Sequence, residues 1–229
     1  MILIIIKIII FTGITYHEYC NQNNIINIAL QSVKPSAQPE NIDSYWLAQF
    51  MDKSRLVSDS EFQMIWGQIL AEECNTPGSI PKALLHILEQ MDKEMAEAFT
   101  RIASLSVYVI EDTKVEYSPI ILDFNDNEYY TNLGLDYEQL VNLHSIGLII
   151  FNEDESSIFR TYDHKTLPII IHYHNQELTL PENITEFDYG CVMYTKAGEA
   201  LCKAINPKKV DGFFEDVCIP FFEAQISEK

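Results

Sequence analysis

The sequence predicts an α+β protein, mainly α: an N-terminal antiparallel helical bundle followed by a winged-helix-like α/β module. Three observations predict it. Apolar stripes at helical spacing follow one another between Ile42 and Ala103, joined by short connections that favour antiparallel packing. Near Val107 the pattern changes to short β-rich runs separated by turn residues. Two amphipathic stretches, around Leu140 and Leu201, bracket those later runs in the order of a winged helix. The implied organisation is an apolar N-terminal segment over residues 1–20, a helical bundle over 21–110 and a winged-helix-like domain over 111–229.

Each element has a local reason. Asn21 to Val33 places Ile25, Ile28 and Ala29 at helical spacing and stops at Pro35, where the KPSAQPEN stretch reads as a linker. Ile42 to Arg55 is a short helix with Trp46, Leu47 and Phe50 on one side. Ser58 stands three residues before Glu61, the spacing of a capping box. Behind it Phe62, Ile65, Trp66, Ile69 and Leu70 form an apolar stripe wide enough for two partners, ended by Asn75-Thr76-Pro77-Gly78. Ser79 is the expected cap of the next helix, with Leu84, Leu85 and Leu88 inward. Asp92 starts a third, with Met95, Ala96, Phe99, Ile102 and Ala103 as its core side.

SVYVIE and SPIILDF then read as β-rich runs. DYEQLVNLHSI is a helix ending at Gly147, a fitting residue for a left-handed helix stop. LIIFN, SIFRTY, TLPIIIHYH and ELTL are strand candidates, and the charged turn Glu153-Asp154-Glu155-Ser156 stands in the place of a wing. The last helix begins near Thr195 and gives way before Pro207. In this arrangement DYEQLVNLHSI occupies the recognition-helix position.

Composition excludes more than it identifies. The 229 residues carry 34 acidic and 15 basic side chains, a net charge of -19. A field of that sign repels phosphate backbones, so nucleic acid is a disfavoured partner. The helix in the recognition position carries Asp136 and Glu138 and no Lys or Arg. Five widely spaced cysteines with no CxxC argue against a disulfide framework or a structural zinc, and fit reduced thiols in a cytoplasmic protein. The opening MILIIIKIIIFTGI is shorter than the roughly 20 residues of a spanning helix. It reads as a buried element start, a membrane anchor confined to residues 1–14, or a truncated start.

The QNNIINIALQSV phrase, the long WLAQFMDKSRLVSDSEFQMIWGQILAEE segment followed by PGS, and MDKEMAEAF resemble the family called domain of unknown function twenty-eight-oh-six. LVNLHSIGLI and YTKAGEAL carry the same resemblance at the far end. The chain is more distantly similar to the Abi-alpha family, associated by name with abortive phage infection. The resemblance implies architecture and a bacterial origin and supplies no catalytic residue. The apolar start and Ser79-Ile80-Pro81 depart from the family's pattern.

Candidate chemistry is sparse. Glu61, Gln68 and Glu72 lie near one side of the central helix, since seven and eleven residues are close to whole turns. A carboxylate-metal bundle would add an ExxH pair, which is absent. Asp123, Asn125 and Asn127 open like a calcium loop, but Glu128 stands where Gly is needed and Gly134 where the bidentate Glu belongs. His172 and His174 would share one strand face, and Cys191 would need a base brought to it by folding. No phosphate-binding loop, nucleophile elbow or HExxH occurs. No catalytic, metal or cofactor residue is therefore assigned.

The expected function is a non-enzymatic protein-interaction module, in phage defence or stress response, and the protein partner's identity is open. Its partner face is placed at Gln63, Gln68, Glu72 and Glu73. A homo-oligomer is compatible with that reading. The alternatives are a winged-helix transcription regulator and a membrane-associated abortive-infection effector.

Overall fold

The computed structural model describes residues 16–112, 114–122, 128–152, 159–161 and 164–227. The apolar run 1–14, the Asp123-Asn125-Asn127 pattern and the charged turn 153–156 lie outside the described residues. The fold is α+β and mostly helical, with small antiparallel sheets. The chain divides into two compact units: residues up to Glu89 together with Lys203–Ile205, and Gln90–Cys202 together with the segment from Asn206 onward.

The first unit is helical. Helices α1 (Tyr16–Ser32), α2 (Ser44–Ser54), α3 (Ser60–Asn75) and α4 (Lys82–Gln90) succeed one another, with a short 3-10 turn at Pro39–Asn41. Its core is aromatic: Trp46 stacks on Phe50 at 5.2 Å, and Phe50 meets Trp66 at the same separation. Ile69, Leu84 and Leu85 complete it, each fully buried. Helices α1 and α3 approach closely at Gly67, where a Cβ would stand 2.5 Å from Cγ2 of Ile28. That approach explains a glycine in a helix interior, where it costs about 1 kcal/mol against alanine.

The KPSAQPEN linker is tied down. Asn75 receives the amide of Lys34 at 2.8 Å on its side-chain oxygen and donates to Ser32 O at 3.3 Å. The amide of Gln38 donates to Cys74 O at 2.9 Å. The ends of α1 and α3 are thereby joined without a charge.

Two expected caps move. Helix α3 is capped by Asp59, not Ser58; the Asp59 side chain accepts the amides of Glu61 and Phe62. A carboxylate one residue closer outcompetes the serine hydroxyl as acceptor for free amides. Ser79 does not cap α4, because Pro81 delays that helix to Lys82, and among the described residues the buried Ser79 hydroxyl has no hydrogen-bond partner. Asp43 and Asp92 do cap α2 and α5 (Lys93–Ser104), accepting the amides of Trp46 and Met95.

The second unit begins with α5, placed in the bundle by sequence. Its Phe99 packs on Tyr194 at 5.7 Å, and the helix runs almost directly into β1 (Ser106–Glu111). The four-stranded antiparallel sheet has the order β2 (Lys114–Pro119), β1, β5 (Ile170–Tyr173), β6 (Gln176–Thr179). Val107, Val109, Ile171 and Tyr173 are among its buried positions. SPIILDF contributes only its first two residues to β2; Ile121 makes an isolated bridge to Gly190 instead.

Helices α6 (Glu128–Asn132) and α7 (Tyr137–Ser145) follow, and α7 carries a true capping box between Asp136 and Gln139. Strands β3 (Ile149–Phe151) and β4 (Phe159–Arg160) do not pair with each other. They pair with β8 (Val192–Tyr194) and β7 (Asp188–Gly190) respectively. The amide of Asn152 donates to Cys191 O at 3.0 Å, and Phe159 pairs with Gly190. The two flanks of the charged segment therefore meet consecutive residues, Gly190 and Cys191, where β7 passes into β8. Sequence periodicity cannot see this long-range pairing, and β7 and β8 were not expected.

Helix α8 (Lys196–Ile205) ends at Asn206 in a left-handed conformation. It is not the last helix. A π-helical turn at Phe214–Cys218 leads into α9 (Ile219–Ser227). Pro220 directly follows this π-turn; it has no amide to give to the preceding turn, and the wider π pitch makes room for its ring. Gln225 anchors α9 by receiving the amide of Asp188 at 2.7 Å and donating to its carbonyl at 3.1 Å.

Candidate functional site on the central helix

The structure separates the four candidate residues of α3, Gln63, Gln68, Glu72 and Glu73. Gln63 is buried; its Nε2 donates to Val57 O at 2.9 Å and lies 3.3 Å from Asn21 Oδ1, while its Oε1 accepts from Asn24 at 3.4 Å. Glu73 is 1% exposed and accepts the amides of Gly78 at 2.7 Å and Ile80 at 2.9 Å. Both are internal ties. Helical geometry could have signalled this: residue 73 is four beyond Ile69 and seven beyond Trp66, so it lies on the apolar stripe.

Gln68 and Glu72 remain partly open to solvent. Gln68 Nε2 reaches towards Ile205 O at 3.5 Å, a weak contact. Burial pushes the Glu72 carboxyl above the usual carboxylate range; the positive charges of Lys34 and Lys203 oppose this, and Glu73 adds to it. No hydrogen bond from a described residue reaches the Glu72 side chain. Glu61 stands exposed at the start of the same helix.

The other candidates resolve into structure. Trp46 and Trp66 are core residues, 2% and 1% exposed. His174 is not on the strand with His172. It opens the two-residue loop between β5 and β6 at φ +53°, because Tyr173 pairs with Gln176. His172 stacks on Tyr108 at 4.9 Å and faces Glu177 at 3.2 Å. Cys191 is buried, and its amide donates to Ile121 O at 2.7 Å. No disulfide joins any of the five cysteines, all of which lie among the described residues. Burial raises the Cys74 and Cys218 thiols above the ordinary range, the opposite of an activated nucleophile. Among the described residues no three His, Cys, Asp or Glu side chains converge as a metal site would require.

The phrases GLI and YTKAGEAL interlock. Gly147 ends α7 at φ +83°, and the Leu148 amide reaches back to Leu143 O at 3.1 Å. Thr195 donates from its hydroxyl to Gly147 O at 2.7 Å, with Leu148 O at 3.1 Å, and accepts the Gly198 amide as the cap of α8. Gly198 lies so near that a Cβ there would stand 1.9 Å from Leu148 O.

Fold and site define a two-unit α+β protein with a polar helix face and no assembled reaction centre among the described residues. Over residues 14–218 the chain matches the family described as protein of unknown function (DUF2806), and it belongs to that family. No curated protein and no solved structure matches it significantly. No helix among the described residues is long and apolar enough to cross a membrane.

Proposed function

We propose that this protein is a non-enzymatic interaction module that docks another protein on the open part of the α3 face, around Gln68 and Glu72. The carrying observation is the Glu72 carboxyl, partly withdrawn from water yet given no hydrogen-bond donor by the described residues. A charge in that state costs free energy that a partner's Arg or Lys would recover by a charge-assisted bond. Gln63 and Glu73 then support the face from within rather than contacting the partner. The helices of the first unit form the bundle that presents it. A role in phage defence or stress response is part of this reading and rests on the family resemblance.

Affinity capture with the wild-type chain and with Glu72→Arg tests it. A host protein retained by the first and lost from the second supports the docking face. Identical recoveries, or turnover in a broad activity screen, would sink it.

A winged-helix-like arrangement of α7, β3, β8 and α8 is the second part of the proposal. It is favoured by the Thr195 interlock, which holds the start of α8 against the end of α7. As a DNA reader it would present Asp136 and Glu138 to phosphates, which argues for a protein-facing use. Tight, salt-sensitive anisotropy on random duplex would reverse that preference in favour of a regulator.

A further inference from the structure

Phe151, the last residue of β3, is held by α7 through both its ring and its backbone. Strand β3 pairs with β8 along one edge. Leu148 O accepts the Thr195 amide, and the Asn152 amide donates to Cys191 O, so these even-numbered positions turn their peptide groups to β8. By alternation Ile149 and Phe151 turn theirs to the open edge. There the Phe151 amide donates to Nδ1 of His144, in the last turn of α7, at 3.1 Å. The Phe151 ring meets Tyr137, in the first turn of the same helix, at 5.6 Å. The left-handed stop at Gly147 folds the strand back along the helix and so allows both contacts.

The backbone contact depends on a proton. An imidazole nitrogen accepts a hydrogen bond only when it carries no hydrogen. The form that holds the Phe151 amide is therefore the neutral ring with its proton on Nε2. A second proton goes to Nδ1 and sets one donor against another. The ring is exposed, so that proton can arrive directly from solvent. Among the described residues no Asp or Glu forms an ion pair with His144. Strand β3 brings only the uncharged Ile149, Ile150 and Phe151 to it. Helix α5, also packed on α7, carries Lys93, Glu94, Glu97 and Arg101, of which the last two pair with each other. Helix α7 itself adds its cap Asp136, and Tyr137 and Glu138 in its first turn.

We infer that His144 is a proton-controlled latch on the corner between α7 and β3: the neutral ring covers the Phe151 amide on the open edge of the strand, and the protonated ring releases it. The bonds from Leu148 and Asn152 to the other strand involve no titrating group and stay closed. The corner is stiff at neutral pH and compliant in acid. This device lies in the second unit and is independent of the Glu72 reading.

Amide hydrogen exchange of the full chain, resolved by NMR and corrected for the intrinsic rate, tests this between about pH 8 and about pH 5, where histidines change charge. The Asn152 amide is the internal reference. Protection of Phe151 relative to Asn152 should fall about fivefold, the worth of one such bond, in step with the His144 ring resonance. His144→Phe removes the acceptor and should hold the low ratio at every pH. His144→Asn puts an amide oxygen where Nδ1 stood and cannot titrate, so its ratio should be flat and high. If asparagine falls short of the amide, its ratio is flat and low, and the wild-type fall against a flat His144→Phe still supports the latch. A wild-type ratio that stays constant while the ring titrates overturns the inference. So does an equal fall in His144→Asn, which would assign the effect to another group.

Discussion

The buried carboxylate of Glu73 accepts the amide of Ile80 at 2.9 Å, and its other oxygen takes the amide of Gly78 at 2.7 Å. One side chain in the last turn of α3 thus closes the turn that leads to α4. Glu73→Ala removes both acceptors and leaves two amides poorly solvated. The expected cost is about 3 kcal/mol, since bonds to a charged group contribute roughly 1.5–3 kcal/mol. Glu73→Gln keeps one acceptor and should lose about half as much. Urea denaturation of the three chains measures the ordering; equal stability of wild type and Glu73→Ala would show that the turn does not need the carboxylate.

The cap of α3 separates two neighbouring residues. Asp59→Ala should cost about 1 kcal/mol, the usual value of an N-cap side chain. Ser58→Ala should fall within about 0.5 kcal/mol of wild type, as surface substitutions do. The comparison is a thermal melt of both variants, and a larger loss for Ser58→Ala would restore the cap to the capping-box position read from sequence.

What was legible in the sequence was periodic. The Phe62-Ile65-Trp66-Ile69-Leu70 stripe, the Asn75-Thr76-Pro77-Gly78 stop and the Gly147 stop each depend on neighbours within one or two turns. The misses share a cause. Residue type placed Gln63 and Glu73 on the water side, although their positions on the helix wheel put them inward. The pairings of β3 with β8 and β4 with β7 join residues 28 to 45 apart in sequence, beyond the reach of local spacing. Helix α9 went unread because the helix from Thr195, which gives way before Pro207, was taken as the last.

Gly198 gives a sharper test of the interlock between GLI and YTKAGEAL. A Cβ at that position would stand 1.9 Å from the backbone oxygen of Leu148, which cannot move without displacing the Thr195 contacts. Gly198→Ala should destabilise by about 2–4 kcal/mol, although alanine is the better helix former by about 1 kcal/mol. Chemical denaturation decides it, and a stabilised variant would mean that α8 does not pack against Leu148.

His174 sits at φ +53° in the hairpin loop between β5 and β6, a left-handed conformation that costs a non-glycine residue roughly 1–2 kcal/mol. His174→Gly should therefore raise stability, by up to about 1 kcal/mol after the loss of its ring contact with Tyr173. Burial, aided by Lys209, lowers the His174 pKa. The folded state thus favours the neutral ring, and stability falls as pH drops from the unfolded value through the lowered folded one. Removing the ring should flatten that part of the wild-type profile. Paired pH titrations of the melting temperature would expose the idea as wrong if the two curves ran parallel below neutrality.

Tyr173 combines a buried ring with two hydrogen bonds: its hydroxyl donates to Ser104 O and accepts the Val210 amide, each at 2.8 Å. Phe213 and Phe214 pack against the ring at 5.2 and 5.8 Å. Tyr173→Phe keeps the packing and abandons a carbonyl and an amide, an expected loss of about 1–3 kcal/mol at neutral pH. Burial raises the hydroxyl from its ordinary value of 10.0 to about 12, against the partly opposing Val210 bond. The folded chain therefore holds a proton that the unfolded chain releases, and its stability declines as pH rises from 10 towards 12. The phenylalanine variant has no such proton to lose. Its deficit against wild type should narrow across that window in denaturant titrations at stepped alkaline pH. A deficit that stays constant would show that the Tyr173 hydroxyl ionises as readily in the folded chain as in the unfolded one.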